Sequence, residues 1–95
     1  MSKHAEPHPL AGQTVTLADQ LAPGLQGQPL AGAEFVVEDY WDRVAGMSWM
    51  DSNGNPACLE YAMRAGFAGL PVDDEVLYGK VGHLGHLVHV SEVRS

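Results

Sequence analysis

The sequence predicts a small, mainly β domain: a partly open β-barrel that carries one inserted α-helix, with an α+β roll as the alternative. Its 95 residues suffice for one independent core. Short stretches rich in β-branched and aromatic residues alternate with turns of Gly, Pro, Asp and Asn, which is typical of strands. We therefore predict a disordered tail over residues 1–12 and a single domain over residues 13–95.

The first strand of this domain is predicted over residues 14–17. Val15 and Leu17 alternate there with threonines, and such alternation indicates a strand with one buried face. The following residues, 18–32, contain several Gly and Pro and predict a long loop. Loops of this length often lie near a working surface.

Residues 33–44, A-E-F-V-V-E-D-Y-W-D-R-V, predict a second, longer strand. β-branched and aromatic residues dominate it. The acidic pair Glu38 and Asp39 interrupts the apolar residues, which predicts a bend at that point. A helix over residues 36–47 is the alternative interpretation, because apolar residues there also recur at helical spacing.

The inserted helix is predicted over residues 56–65. Asn55 can cap its first turn, Pro56 suits its first position, and Gly66 is predicted to end it. Apolar residues at helical spacing predict a stripe along this helix. The stripe consists of Leu59, Ala62 and Met63, and Cys58 and Tyr61 flank it.

The chain is predicted to close with a hairpin, whose strands span residues 76–81 and 86–90 and whose turn spans residues 82–85. Because side chains alternate between the two faces of a strand, Val88 is predicted to face the core. Leu87 then faces the opposite way, towards the helix or a second subunit.

Two stretches of the chain resemble known proteins. The closing stretch V-L-Y-G-K-V-G-H-L-G-H-L-V-H-V-S-E-V is similar to the last hairpin of SH3-like barrels. This resemblance implies a small SH3-like β-barrel, from which the inserted helix departs. The phrases E-D-Y-W-D-R-V and G-N-P-A resemble those of small uncharacterised actinobacterial and phage proteins, a resemblance that implies a fold and no function.

The composition is strongly acidic: 5 Lys and Arg residues stand against 12 Asp and Glu residues, which gives a net charge of −7. Because so few cations cannot form a basic patch, we expect neither a phosphate-binding surface nor direct nucleic-acid binding. A solubilising charge is the simplest interpretation. The alternative is a nucleic-acid mimic, or an inhibitor of a nucleic-acid-binding protein, of the phage or defence type. This alternative requires six carboxylates on one face: Glu38, Asp39, Asp42, Asp73, Asp74 and Glu75.

The sequence predicts a cytoplasmic protein. Its single cysteine, Cys58, forms no disulfide within the chain, and its apolar neighbours predict a buried thiol. The N-terminal residues lack the apolar core of a signal peptide, and no apolar run reaches membrane-spanning length. Membrane binding is therefore not expected.

The sequence predicts no metal site, no cofactor and no catalytic group. His83, His86 and His89 lie three residues apart, so His86 and His89 point to opposite faces of a strand and cannot share an ion. We expect these histidines to lie on the hairpin without a structural role, so that His86 and His89 contribute little to stability at neutral pH. The D-S-N-G-N stretch, residues 51–55, lacks the glycine and the closing glutamate of a calcium-binding loop.

The remaining functional signal is a cluster of aromatic and acidic residues. Its members are Asp39, Tyr40, Trp41, Asp42 and Trp49. Such a cluster suits a basic or proline-rich protein partner, although the simplest role of both tryptophans is in the core. We therefore predict a non-enzymatic protein-binding module, which in one version binds a second copy of itself.

Overall fold

The protein folds around one curled antiparallel sheet. The computed structural model describes residues 6–19, 21, 28–45, 54–71 and 75–94. Its five strands form a half-barrel in the order β4-β3-β2-β1-β5. The elements, in chain order, are β1 (Thr14–Leu17), β2 (Glu34–Tyr40), α1 (Trp41–Ala45), α2 (Pro56–Ala68), β3 (Val76–Val81), β4 (Leu84–His89), a 3₁₀ helix (Val90–Glu92) and β5 (Val93–Arg94). The mainly β fold with one long inserted helix, α2, is thereby confirmed, and it is consistent with a small SH3-like fold.

The curl arises because the end of the chain returns to its first strand. The predicted strand β1 is confirmed, with the bounds that the sequence indicated. On one side Val15 pairs with Phe35 of β2, and on the other Leu17 pairs with Val93 of β5. The short strand β5 therefore joins β1 at the edge of the sheet opposite β4.

The segment over residues 33–44 is part strand and part helix. The strand β2 ends at Tyr40, and the predicted bend is confirmed by a break in its register with β3 between Val37 and Asp39. The prediction of a strand beyond Tyr40 was wrong, because α1 begins at Trp41. One physical reason is local: the Asp39 carboxylate accepts the N–H of Tyr40 at 2.7 Å and pairs with Arg43, four residues on.

The two faces of the sheet carry two separate apolar clusters. One lies between the sheet and α2 and contains Trp41, Cys58, Tyr61, Ala65, Val76 and Leu87. The other lies on the opposite face and contains Leu17, Phe35, Val37, Leu77 and Val88. Alternation along β3 and β4 divides their side chains between these clusters. The predictions for Leu87, Val88 and the buried Cys58 are confirmed.

The helix α2 begins as predicted and ends later than predicted. The side chain of Asn55 accepts the N–H of Ala57 at 2.9 Å, which confirms the N-terminal cap. The predicted end at Gly66 was wrong. Gly69 closes the helix with φ +71°, and its N–H donates to the carbonyl of Ala65 at 2.7 Å.

The closing hairpin is confirmed with a shorter turn. Strands β3 and β4 pair from Val76 opposite His89 to Val81 opposite Leu84. Only Gly82 and His83 lie between them, and Gly82 has φ +65°, which suits a two-residue turn. The predicted four-residue turn was therefore too long.

Part of the predicted disordered tail is bonded to the sheet. The N–H of His8 donates to the Asp39 carboxylate at 3.1 Å, and the N–H of Gly12 donates to the carbonyl of Val37 at 2.7 Å. Residues 9–12 form a turn, and this turn is held against β2. Residues 1–5 lie outside the described part of the chain.

Candidate functional site

The inward face of α2 carries charged side chains. Arg64 is fully buried, and its Nε donates to Oε2 of Glu92 at 2.8 Å. One terminal nitrogen donates to the carbonyl of Leu87 at 2.8 Å, and the other pairs with Oε1 of Glu60, one turn earlier in the helix. Glu92 in turn accepts the N–H of His89 at 3.1 Å. This network ties α2 to β4 and to the 3₁₀ helix.

The network places one guanidinium group between two carboxylates. Burial by itself lowers the pKa of Arg64, but the hydrogen bonds and charges of Glu92 and Glu60 outweigh burial and raise it. Burial raises the pKa of Glu60, although the hydrogen bond and charge of Arg64 act in the opposite direction. Arg64 therefore stays charged and holds the two carboxylates in place. Its role is structural.

The outward face of α2 is apolar, and it is the candidate binding surface. We use this name for Leu59 and the residues three, four, seven and eight positions after it, which lie along one side of the helix: Ala62, Met63, Gly66 and Phe67. Their large side chains are 45%, 42% and 67% exposed for Leu59, Met63 and Phe67. A shallow groove runs between Ala62, Met63, Gly66 and Phe67.

The predicted apolar stripe of Leu59, Ala62 and Met63 is exposed, and the residues that flank it pack on the core. The helix has apolar residues on two faces, and the face that contacts the sheet is that of Cys58, Tyr61 and Ala65. Helical spacing alone does not choose between two apolar stripes. Phe67 was missed because the helix was predicted to end before it, and a helix continued through Gly66 would have added it to the stripe.

The predicted aromatic and acidic cluster lies where β2 meets α1. Trp41 is 6% exposed and belongs to the cluster beneath α2, so the structure gives its ring a role in the core. Tyr40 is half-buried on the other face of the sheet, edge-on to the ring of His8 at 4.8 Å. Trp49 lies outside the described residues. The partner-binding role of the cluster stays a prediction.

Carboxylates do gather around Tyr40. Burial raises the pKa of its hydroxyl, and the charges of Glu75, Asp39 and Asp42 raise it further. Asp39 is engaged within the fold, since it accepts backbone N–H groups and pairs with Arg43 at 3.1 Å. Asp73 and Asp74 lie outside the described residues. The arrangement of all six carboxylates on one face, which the nucleic-acid mimic requires, therefore stays a prediction.

Two histidines of the hairpin are buried, and one of them caps the 3₁₀ helix. His86 and His89 are each 6% exposed, so the expectation that they contribute little to stability was based on the wrong environment. The ring nitrogen Nδ1 of His89 accepts the N–H of Ser91 at 3.1 Å and caps the 3₁₀ helix. Among the described residues no three His, Cys, Asp or Glu side chains are grouped so that they could hold a metal ion.

His86 is expected to make the protein less stable in acid. Burial lowers the pKa of His86 below its ordinary value of 6.5, and the charge of Arg64 lowers it further. The folded protein therefore favours the neutral ring, and stability that is present above pH 6.5 is lost as the pH falls towards the lowered pKa. His86→Gln is expected to remove this part of the loss in urea unfolding measured at several pH values.

The matched control for this prediction is His83→Gln, because His83 is exposed at the turn of the same hairpin. The control is expected to keep the pH dependence of the parent protein. Equal pH profiles for His86→Gln and the parent would contradict the prediction.

We compared the chain with known proteins, and no family model, curated protein or solved structure matches it. The proposed function therefore depends on the geometry of this molecule.

In the described part of the chain, no helix has the length and apolar character needed to cross a bilayer.

Proposed function

We propose that the protein is a non-enzymatic protein-binding module whose binding surface is the outward face of α2. The distribution of side chains on this helix supports the proposal. All seven exposed residues of α2 are apolar or glycine, whereas its two charged residues, Glu60 and Arg64, are buried. A helix at the surface of an isolated domain normally shows the reverse arrangement. A partner that covers the apolar face would remove it from water.

The buried charged groups support the non-enzymatic part of the proposal. Arg64 binds Glu60, Glu92 and a backbone carbonyl, and these groups are covered by α2 and the sheet. A catalytic acid or base must reach a substrate. These groups instead hold two elements together, which is a structural role.

The binding surface can be tested by placing a photo-crosslinking amino acid at position 63 of the full chain in cells. Position 84 is the matched control, because Leu84 is a similarly apolar and exposed residue at the hairpin, 65% exposed against 42% for Met63. We expect adducts from position 63 and few from position 84. The adduct is then identified, and the affinity of the purified partner is measured.

Met63→Lys is expected to weaken binding of that purified partner at least tenfold, because a buried charge without a counterion is costly. Leu84→Lys is expected to bind as the parent does. Both substitutions are at exposed positions and are expected to change the free energy of unfolding by no more than about 0.5 kcal/mol. Equal crosslinking at the two positions, or unchanged affinity of Met63→Lys, would contradict the proposal.

A further inference from the structure

The outward face of α2 contains a glycine that packing within the chain does not explain. Gly66 lies in the interior of the helix, where glycine is less favourable than alanine. A Cβ added at Gly66 would meet nothing within 4 Å. The chain itself therefore has room for a larger side chain there. The absence of a side chain is useful if another backbone approaches this point, and Ala62, one turn earlier, leaves similar room.

The net charge of the protein restricts which partners can bind the outward face of α2. Each copy carries a net charge of −7, so two copies repel each other wherever their carboxylates meet. The outward face of α2 presents no charged side chain, because Glu60 and Arg64 are buried. A basic partner would find no counterion on this face. This face would instead suit an uncharged apolar helix that approaches it closely.

We infer that the partner is a second copy of this chain, which packs its α2 against the first α2 about a two-fold axis. A two-fold contact requires a surface that complements itself. The outward face meets this requirement, because it alternates large residues, Leu59, Met63 and Phe67, with the small residues Ala62 and Gly66. The small residues let the two helices approach, and the large ones fill the space beside them.

The exposed area sets the strength of the contact. The three large side chains of this face are 42–67% exposed. With the small residues between them, they offer on the order of 400 Å² of surface per copy, since a full aromatic side chain has about 200 Å². Two copies would bury about 800 Å², which is less than the roughly 1,200 Å² of stable dimers and within the range of transient ones. The dimer is therefore weak and depends on concentration.

This inference rests on the proposed function, and sedimentation of the purified full chain tests it separately. The concentration is varied from about 1 μM to about 1 mM, which brackets the affinities of small interfaces. The average mass is expected to rise from 10.2 kDa towards twice that value. Phe67→Lys is expected to weaken association at least tenfold, whereas Leu84→Lys is expected to associate as the parent does. Leu84 is the matched control for Phe67, because the two residues are 65% and 67% exposed.

Gly66→Gln gives a second, independent readout with effects of opposite sign. In the monomer, at low concentration, it is expected to raise the melting temperature by about 2–6 °C, because glutamine favours helix more than glycine does. In the same variant the dimer is expected to weaken at least tenfold, because the new side chain keeps the helices apart. A purely local role for Gly66 would leave association unchanged.

The outcomes separate the two proposals. A protein that stays monomeric over the whole range, or a Phe67→Lys variant that dimerises as the parent does, overturns the inference of a second copy. If the parent is monomeric and position 63 still crosslinks to a different protein, the second copy is excluded while the binding role of α2 stands. If position 63 gives no adduct and no dimer forms, both proposals fall.

Discussion

Arg64→Met is expected to lower the free energy of unfolding by about 3–5 kcal/mol, since it removes one partner from a buried ionic network. The guanidinium group of Arg64 is fully buried and binds Glu60, Glu92 and the carbonyl of Leu87. Methionine fills part of the volume and leaves two buried carboxylates without a cation. Urea unfolding at pH 7 measures the loss.

Arg43→Met is the matched control for this prediction. Arg43 also pairs with a carboxylate, Asp39, at 3.1 Å, but a third of its side chain is exposed. Its loss is expected to cost about 0.3–0.5 kcal/mol. The cost of Arg64→Met is further expected to shrink as the pH falls, because protonation removes the uncompensated charge. Equal losses for the two variants, or a cost of Arg64→Met that does not change with pH, would contradict the electrostatic explanation.

Leu87→Ala is expected to lower the free energy of unfolding by about 2–5 kcal/mol, through lost burial and the cavity that remains. Leu87 is fully buried between β4 and α2, in the cluster that contains Tyr61 and Cys58. Its carbonyl, which accepts a hydrogen bond from Arg64, is unchanged by the substitution. The effect on stability therefore reports the packing of α2 on the sheet.

Leu84→Ala provides the control, because the same residue type in the same strand is 65% exposed there. Its effect is expected to stay within about 0.5 kcal/mol. If urea unfolding gave similar losses for Leu84→Ala and Leu87→Ala, α2 would not cover β4 as the structure describes.

Local chemistry made several features predictable from the sequence. Alternation of apolar residues identified β1 and the hairpin, and the Asn55–Pro56 pair identified the start of α2. These features depend on residues that are neighbours along the chain. The ends of elements were less predictable: α2 continues through Gly66, because Gly69 provides the left-handed cap.

The candidate site was predictable only in part. The residues Leu59, Ala62 and Met63 were identified as an apolar stripe, but helical spacing did not indicate which face of the helix turns outward. The spacing of Glu60 and Arg64, one helical turn apart, is typical of a pair at the surface. In the structure both are buried, because Arg64 also binds Leu87 and Glu92, which lie 23 and 28 residues further along the chain.

The sequence by itself determined a small, acidic, mainly β domain with one long helix, because composition and periodicity act over a few residues at a time. Only the tertiary structure decided which face of that helix turns inward. The helix had two apolar faces, and the long-range partners of Arg64 stabilise the face that also carries the charges. Burial of those charges leaves Leu59, Met63 and Phe67 exposed to water. The proposed binding surface is therefore a consequence of the fold that no local stretch of sequence specifies.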